Sequence, residues 1–348
     1  MTDEPRPVIA ITMGDPAGIG PEIVVRALAD PALRGRARYV VYGHNAALTL
    51  EADRLGLESD WYRVAHDSDR ATRRIDDDVV VFDFPGFEEH TLVNRGPSKA
   101  GGLGSKLFVE TAIADALRPA GDPRHVDGVV TAPISKASWS MAGFKWPGHT
   151  ELFAHRCKAR RVGMMFVSPR LRVILATIHI PLLKLRDDLT IGRVHDPIDL
   201  GHDACRELGI ESPRIAVCGL NPHAGEDGLF GDEEERLIVP AIEAARRTGI
   251  DAHGPFPADT LFIRAAAGDW DLVVAMYHDQ GLIPVKLLGW DKAVNWTVGL
   301  PIVRTSPDHG TAFDIGGKAR ASPGSMIAAT ELAIDLAARR LAEATPRG

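Results

Sequence analysis

Short apolar runs rich in Val and Ile alternate with helix-like stretches along most of this chain. That alternation restricts it to an α/β fold, a largely parallel sheet covered by helices. The candidate strands are Val8–Met13, Tyr39–Tyr42, Val126–Thr131, Val162–Val167, Leu171–Ile178, Arg214–Leu220 and Asp271–Tyr277. Most are apolar at successive positions and read as buried on both faces. Helices are expected between them at Pro21–Ala29, Ser105–Leu117, Pro197–Leu208 and Glu233–Thr248, with a last one running from Ser325 to about Ala344. Pro21 suits a first helical turn, and Glu22 suits the positive end of the helix dipole. The least regular stretch is Glu58–Gly104. There the mixed charges of Asp67–Asp78 read as solvated surface, and the glycines of Arg95–Gly104 as a turn opening the Ser105 helix.

A chain of 348 residues fits two domains of about 150 residues each. Asp and Glu (47) outnumber Lys and Arg (40), so no positive excess exists to neutralise a nucleic-acid backbone. Cys157, Cys205 and Cys218 are too few and too scattered for a disulfide framework, which fits a reducing compartment. Met1–Pro7 lacks the apolar segment of a secretion signal, and no stretch approaches about 18 uninterrupted apolar residues. A cytoplasmic protein without a membrane span is expected.

Two glycine-rich stretches imitate nucleotide motifs and fail them. Gly14, Gly18 and Gly20 do not space as G-x-G-x-x-G, because position 23 is Ile. Gly101-Gly-Leu-Gly-Ser-Lys106 has Ser105 where a phosphate-binding P-loop needs Gly.

Open α/β sheets collect ligands beyond the carboxyl ends of their strands. His179, His223 and His278 each stand just after a candidate strand. Three imidazoles brought together from three strands can bind one divalent metal and leave positions open for substrate. His44 also ends a candidate strand, so placement alone does not identify a ligand. The chosen three differ in their polar, turn-forming company, as in Asn221-Pro-His-Ala-Gly-Glu226 and His278-Asp-Gln-Gly281.

Lys286, Asn295 and Arg304 follow within or beside the mainly apolar segment Leu282–Val303, where a cation is costly unless paired. An anionic ligand would be such a partner, Lys acting as a point charge and Arg as a bidentate fork. An internal salt bridge would serve equally. Pro147-Gly-His-Thr-Glu151 begins a helical pattern with Thr150 at the N-cap position, so its N–H groups, with His149 and Thr150, either meet an anion or simply cap the helix. Asp259 is likewise either a cap or a catalytic-site carboxylate.

Taken together, Gly14-Asp-Pro-Ala-Gly-Ile-Gly-Pro21, Pro147-Gly-His-Thr-Glu151, Ala176-Thr-Ile-His179, Gly219-Leu-Asn-Pro-His-Ala-Gly-Glu226, Pro257-Ala-Asp-Thr260, Met276-Tyr-His-Asp-Gln-Gly281 and Arg304-Thr-Ser-Pro-Asp-His-Gly-Thr311 resemble the 4-hydroxythreonine-4-phosphate dehydrogenase family. The resemblance spans nearly the whole chain and thins at residues 58–100. It implies a metal on His179, His223 and His278, and a phosphorylated substrate on His149, Thr150, Lys286, Asn295 and Arg304. It also implies two α/β/α domains like those of isocitrate and isopropylmalate dehydrogenases, with the site in the cleft between them. The first domain is then expected in residues 1–130 with 280–348, and the second in 131–279. The implied assembly is a homodimer in which both subunits contribute to each site, dividing the three histidines. His309-Gly-Thr-Ala312 resembles the start of those relatives' adenosine-binding loop, which would provide a cofactor site without G-x-G-x-x-G; a Gly-rich turn is the other reading.

The activity implied is NAD- or NADP-dependent oxidation of a small phosphorylated hydroxy acid, with one divalent ion, zinc, magnesium or cobalt, polarising the hydroxyl. Imidazole donors suit zinc, cobalt or nickel better than magnesium. A 3-keto acid so formed loses CO2 readily, and Asp259 is an acid–base or metal-side carboxylate. The substrate is expected to be 4-phospho-hydroxy-L-threonine. Gly228-Leu-Phe-Gly-Asp-Glu-Glu-Glu235 and Lys286-Leu-Leu-Gly289 point instead to D-threonate or D-erythronate 4-phosphate. Two other classes fit three histidines with open positions, a metal-dependent hydrolase or aldolase and a non-catalytic sensor.

Overall fold

The computed structural model describes residues 6–84 and 95–344. In chain order the strands are β1 (Val8–Thr12), β2 (Arg38–Gly43), β3 (Tyr62–Ala65), β4 (Val79–Asp83), β5 (Gly128–Thr131), β6 (Gly163–Val167), β7 (Arg172–Leu175), β8 (Ile215–Cys218), β9 (Ala252–Phe256), β10 (Leu272–Ala275), β11 (Val294–Val298) and β12 (Val303–Pro307). Helices lie between most of them, so the class is α/β, as the alternation requires.

The chain forms two compact units, one from the chain up to Ala159 with the chain from Leu300 onward, the other from Arg160–Gly299. Both crossings fall later than the expected 130/131 and 279/280. Helix Lys136–Met141 packs on helix Lys99–Ala116 and so stays with the first unit, while β11 pairs antiparallel with β6 and stays with the second.

In the first unit the strand order is β3-β4-β2-β1-β5-β12, with every pairing parallel. After β1 the chain goes on to β2 on one side, whereas after the adjacent β5 the next strand of this unit is β12, on the other side. That makes the loops after β1 and β5 a topological switch point, where α/β sheets place ligands. In the second unit the order is β11-β6-β7-β10-β8-β9. There β7, β10, β8 and β9 are parallel, and β6 and β11 are antiparallel. Phe166, Val173, Leu175, Val273, Leu282 and Val285 anchor its core, each contributing roughly 1.5–3 kcal/mol through burial.

Within the stretch 58–104, of which 85–94 lie outside the described residues, the described parts are more regular than the composition implies. They hold β3, the buried β4 and a short 3-10 turn at Asp69–Thr72. Their glycines do not form the expected turn. The helix starts at Lys99, Ser98 Oγ accepts a hydrogen bond from Gly101 N at 3.0 Å, and Gly101 and Gly102 lie inside the helix. A Cβ on Gly102 would overlap the Ser138 carbonyl, so these glycines permit close packing. Among the described residues no helix is long and apolar enough to cross a membrane.

Candidate functional site

In the second unit β10 lies between β7 and β8, and parallel pairing brings all three carboxyl ends to one edge. His179 stands on the bend after β7, and His278 is the first residue of helix His278–Gly289, after β10. Their ring centroids are 5.8 Å apart, beside a cavity of about 330 Å³ lined by Thr177, Ile178, Tyr277 and Asp279 as well. Asp279 Oδ1 lies 2.7 Å from His278 Nδ1. A carboxylate only accepts, so Nδ1 carries a proton, and in the neutral ring Nε2 is then the nitrogen with the lone pair for a ligand.

His223 follows β8 on a turn with left-handed backbone (φ 55°, ψ 25°), its ring 6.1 Å from that of Phe230. Among the described residues no three His, Cys, Asp or Glu side chains are grouped to hold a metal. The structure thus brings His179 and His278 together and leaves His223 outside a three-ligand group. Lys286 lies on the same helix as His278, its Nζ 5.6 Å from the Trp290 ring centroid, and Asn295 is half-buried on β11 opposite Phe166. Asp259 is exposed in the first turn of helix Ala258–Ala266, whose N-cap is Pro257, so it is not the cap.

In the first unit, β12 carries an arginine through the sheet. Arg304 is 2% exposed. Its Nη2 donates to Thr131 Oγ1 on β5 at 2.7 Å, and its guanidinium stands 5.4 Å from the Phe153 ring centroid. Burial pulls its pKa down to about 9, opposed by Glu151, so it remains a cation at neutral pH. His149 opens helix His149–Arg156, with Gly148 as N-cap; Thr150 is the second helical residue and not the expected cap. The His149 ring packs edge-on to Trp139 at 5.6 Å. Its Nε2 is buried without a hydrogen-bond partner. A helix N-terminus, a buried cation and a ring nitrogen lacking a partner thus lie together, groups of the kind that an anion would meet.

Burial first, and then the charge of Arg304, hold the His149 pKa well below the usual histidine value. Below about pH 6.5 the unfolded chain takes up a proton that folded His149 refuses. Stability is therefore expected to fall on acidification, by at most about 1.4 kcal/mol per pH unit. The effect is less than that maximum because His149 as a residue is only partly buried. His149→Gln should flatten this slope in urea unfolding between about pH 7.5 and about pH 5; identical slopes would mean that His149 protonates freely.

His309, Gly310, Thr311 and Ala312 form a partly exposed loop after β12 that lies against the Gly14–Gly20 turn, with Ile19 N donating to Thr311 O at 2.9 Å. A Cβ on Gly18 would come within 2.7 Å of that carbonyl. The turn that imitates a dinucleotide fingerprint thus seats a loop. Glu22, expected only to meet a helix dipole, is fully buried and accepts from Ala321 N at 3.0 Å, holding the far end of the segment after β12.

Two residues escaped the sequence reading. Asp15 is fully buried after β1, accepting from Ser138 Oγ at 2.7 Å and Ala17 N at 3.1 Å, and burial raises its pKa. Glu234 is buried under the His223 turn. Little that is local marks either one, since Ser138, which bonds Asp15, and Leu220 and Asn221, which bond Glu234, lie elsewhere in the chain; Asp15 could have been singled out only as an acid between an apolar strand and a Gly-rich turn.

The profile of the family described as pyridoxal phosphate biosynthetic protein PdxA matches residues 35–333. The chain is 44% identical over 335 residues to D-threonate 4-phosphate dehydrogenase of Cupriavidus necator, covering 96% of this chain and 98% of that one. It is 45% identical over 337 residues to 4-hydroxythreonine-4-phosphate dehydrogenase of Desulfosudis oleivorans, covering 96% and 97%. The crystal structure of 4-hydroxythreonine-4-phosphate dehydrogenase from Klebsiella pneumoniae superposes with a TM-score of 0.82 at 40% identity, covering 95% and 99%.

Proposed function

The chain belongs to the PdxA family of pyridoxal phosphate biosynthetic proteins, and we propose that it is a metal-dependent NAD or NADP dehydrogenase acting on a 4-phosphorylated 3-hydroxy acid. The observation that carries the substrate class is the pocket of buried Arg304 and His149 at a helix N-terminus, a receptor for a phosphate. Thr150 adds a hydroxyl at the same helix end, while Lys286 and Asn295 are assigned to the rest of the substrate. Asp259, exposed on its helix, is the carboxylate assigned to the proton. His309, Gly310, Thr311 and Ala312 are assigned to the adenosine end of the cofactor.

A metal fits the donor chemistry of His179 and His278, which are close together and, at His278, oriented by Asp279. Zinc or cobalt suits imidazole better than magnesium does. When bound, the metal supplies Lewis-acid polarisation of a hydroxyl, and the nicotinamide supplies the hydride acceptor. Oxidation of a 3-hydroxy acid yields a 3-keto acid, which sheds CO2, so the overall reaction is an oxidative decarboxylation. Ile283, Leu287 and Trp290 leave an apolar stripe exposed on the helix that begins at His278 (58%, 80% and 75%). With two histidines grouped among the described residues, we assign this stripe to a homodimer that completes the ligand set.

The leading substrate is 4-phospho-hydroxy-L-threonine. D-threonate or D-erythronate 4-phosphate is the second, favoured by Gly228-Leu-Phe-Gly-Asp-Glu-Glu-Glu235 and Lys286-Leu-Leu-Gly289. Both sets should be supplied to metal-replete protein with NAD and with NADP while absorbance at about 340 nm reports the reduced cofactor. Turnover is expected with one set, falling by at least about 100-fold in kcat/KM in His223→Ala. Undiminished activity in that variant would remove His223 from the ligand set. No reduced cofactor with any phosphorylated acid would end the dehydrogenase reading.

A further inference from the structure

The turn carrying His223 is wound against the handedness of L-residues. Six consecutive residues have positive φ: His223 (55°), Ala224 (53°), Gly225 (86°), Glu226 (46°), Asp227 (52°) and Gly228 (89°). Four of these are not glycine, and L-residues usually enter this region singly, because Cβ crowds the following carbonyl. A run of this kind persists only where its surroundings over-determine it, and such strain concentrates at functional sites.

The surroundings that hold it centre on one carboxylate. Glu234 is 5% exposed. Its Oε1 accepts from Leu220 N and Asn221 N, both at 2.7 Å, and its Oε2 accepts from Asn221 Nδ2 at 2.9 Å. Asn221 Nδ2 also donates to Glu233 Oε2 at 2.8 Å. A Cβ on Gly225 would lie 2.9 Å from Glu234 Oε2, so the turn closes directly onto the carboxylate. Residues Glu234–Ile238 form a π-helical turn, in which Val239 N donates to Glu234 O, a departure from the α-helix that recurs at functional sites. Gln280, two residues beyond His278, bonds in both directions: Oε1 accepts from Met276 N at 2.6 Å, and Nε2 donates to Gly219 O at 2.8 Å. The segment presenting His278 is thereby tied to the strand end from which the His223 turn departs.

We propose that Glu234 is a positioning residue, a buried clamp that holds the left-handed turn closed and sets the direction of His223, with Gln280 keeping that turn in register with His278. The assignment rests on the metal reading above for its purpose and on the hydrogen bonds for its mechanism.

Glu234→Gln preserves the shape but replaces an acceptor by a donor facing Asn221 Nδ2. In metal-free protein, hydrogen–deuterium exchange of peptides across 219–228 is expected to accelerate about 10- to 100-fold, the consequence of losing a bond to a charged group. Exchange elsewhere and the melting temperature should hardly change. Co2+ titrated into the same variant should bind about 10- to 100-fold more weakly than to wild type. If Glu234→Gln does not fold, Asn221→Ala, which removes side-chain bonds at the rim of the clamp, carries the same two expectations. Unchanged exchange across 219–228 would overturn the clamp, and faster exchange with unchanged Co2+ affinity would overturn its role in directing His223. Wild-type protein that takes up no Co2+ would instead overturn the metal reading, and the exchange result would still decide the clamp.

Discussion

Arg304→Met is expected to lower kcat/KM for the phosphorylated acid by about 10²- to 10³-fold while the protein stays folded. Removing one partner of a buried, hydrogen-bonded charge pair costs roughly 2–5 kcal/mol of binding, and each 1.4 kcal/mol is about tenfold. The loss should fall mainly on KM, because Arg304 is placed to bind the phosphate and not the reacting carbon. Stability should stay level or rise, since a guanidinium 2% exposed is costly to desolvate and Met fills similar volume. Arg304→Lys retains the charge but not the planar fork that reaches Thr131, so an intermediate loss is expected. Kinetics paired with thermal melts separate these outcomes. Activity and melting temperature falling together would make Arg304 a structural residue, and unchanged kinetics would remove it from the pocket.

Gly14→Ala should cost at least about 3 kcal/mol in urea unfolding, or prevent folded protein from accumulating. Gly14 has φ +77°, and a Cβ there would overlap the Pro133 carbonyl and lie 3.0 Å from the Ala132 carbonyl carbon. Both obstacles are backbone and cannot swing aside. Gly56 is the control: its φ is +65° with nothing within 4 Å of a Cβ, so Gly56→Ala should cost only about 1–2 kcal/mol, the left-handed penalty alone. Equal costs at the two positions would mean that the turn after β1 can relax. Asp15 stands next to Gly14, so a partly folded Gly14→Ala protein should also loosen the Asp15–Ser138 bond.

Several elements contradict their local composition for identifiable reasons. β9 reads Ala-His-Gly-Pro-Phe and carries two strand breakers, tolerated because it lies at the end of the second unit's strand order. β12 reads Val-Arg-Thr-Ser-Pro and is buried throughout, so hydrophobic patterning alone passes over it. Its polar side chains bond within the first unit, Arg304 to Thr131 and Thr305 Oγ1 to Ala329 O. β4, lying just beyond the charge run of Asp67–Asp78, shows that a solvated segment says little about the strand that follows it.

Local sequence was enough for what depends on local physics. Val- and Ile-rich runs alternating with helical patterns determined the α/β class, and polar residues just after those runs marked His179, His223 and His278. Which of them meet was decided by tertiary structure, because β10 enters between β7 and β8 after the chain has already formed β9. That insertion sets His278 beside His179. The hold on His223 is equally non-local, since the bonds from Leu220 and Asn221 to Glu234 span 14 and 13 residues. Periodicity records which face of an element is buried, whereas a buried carboxylate's worth depends on the backbone groups folding brings to it.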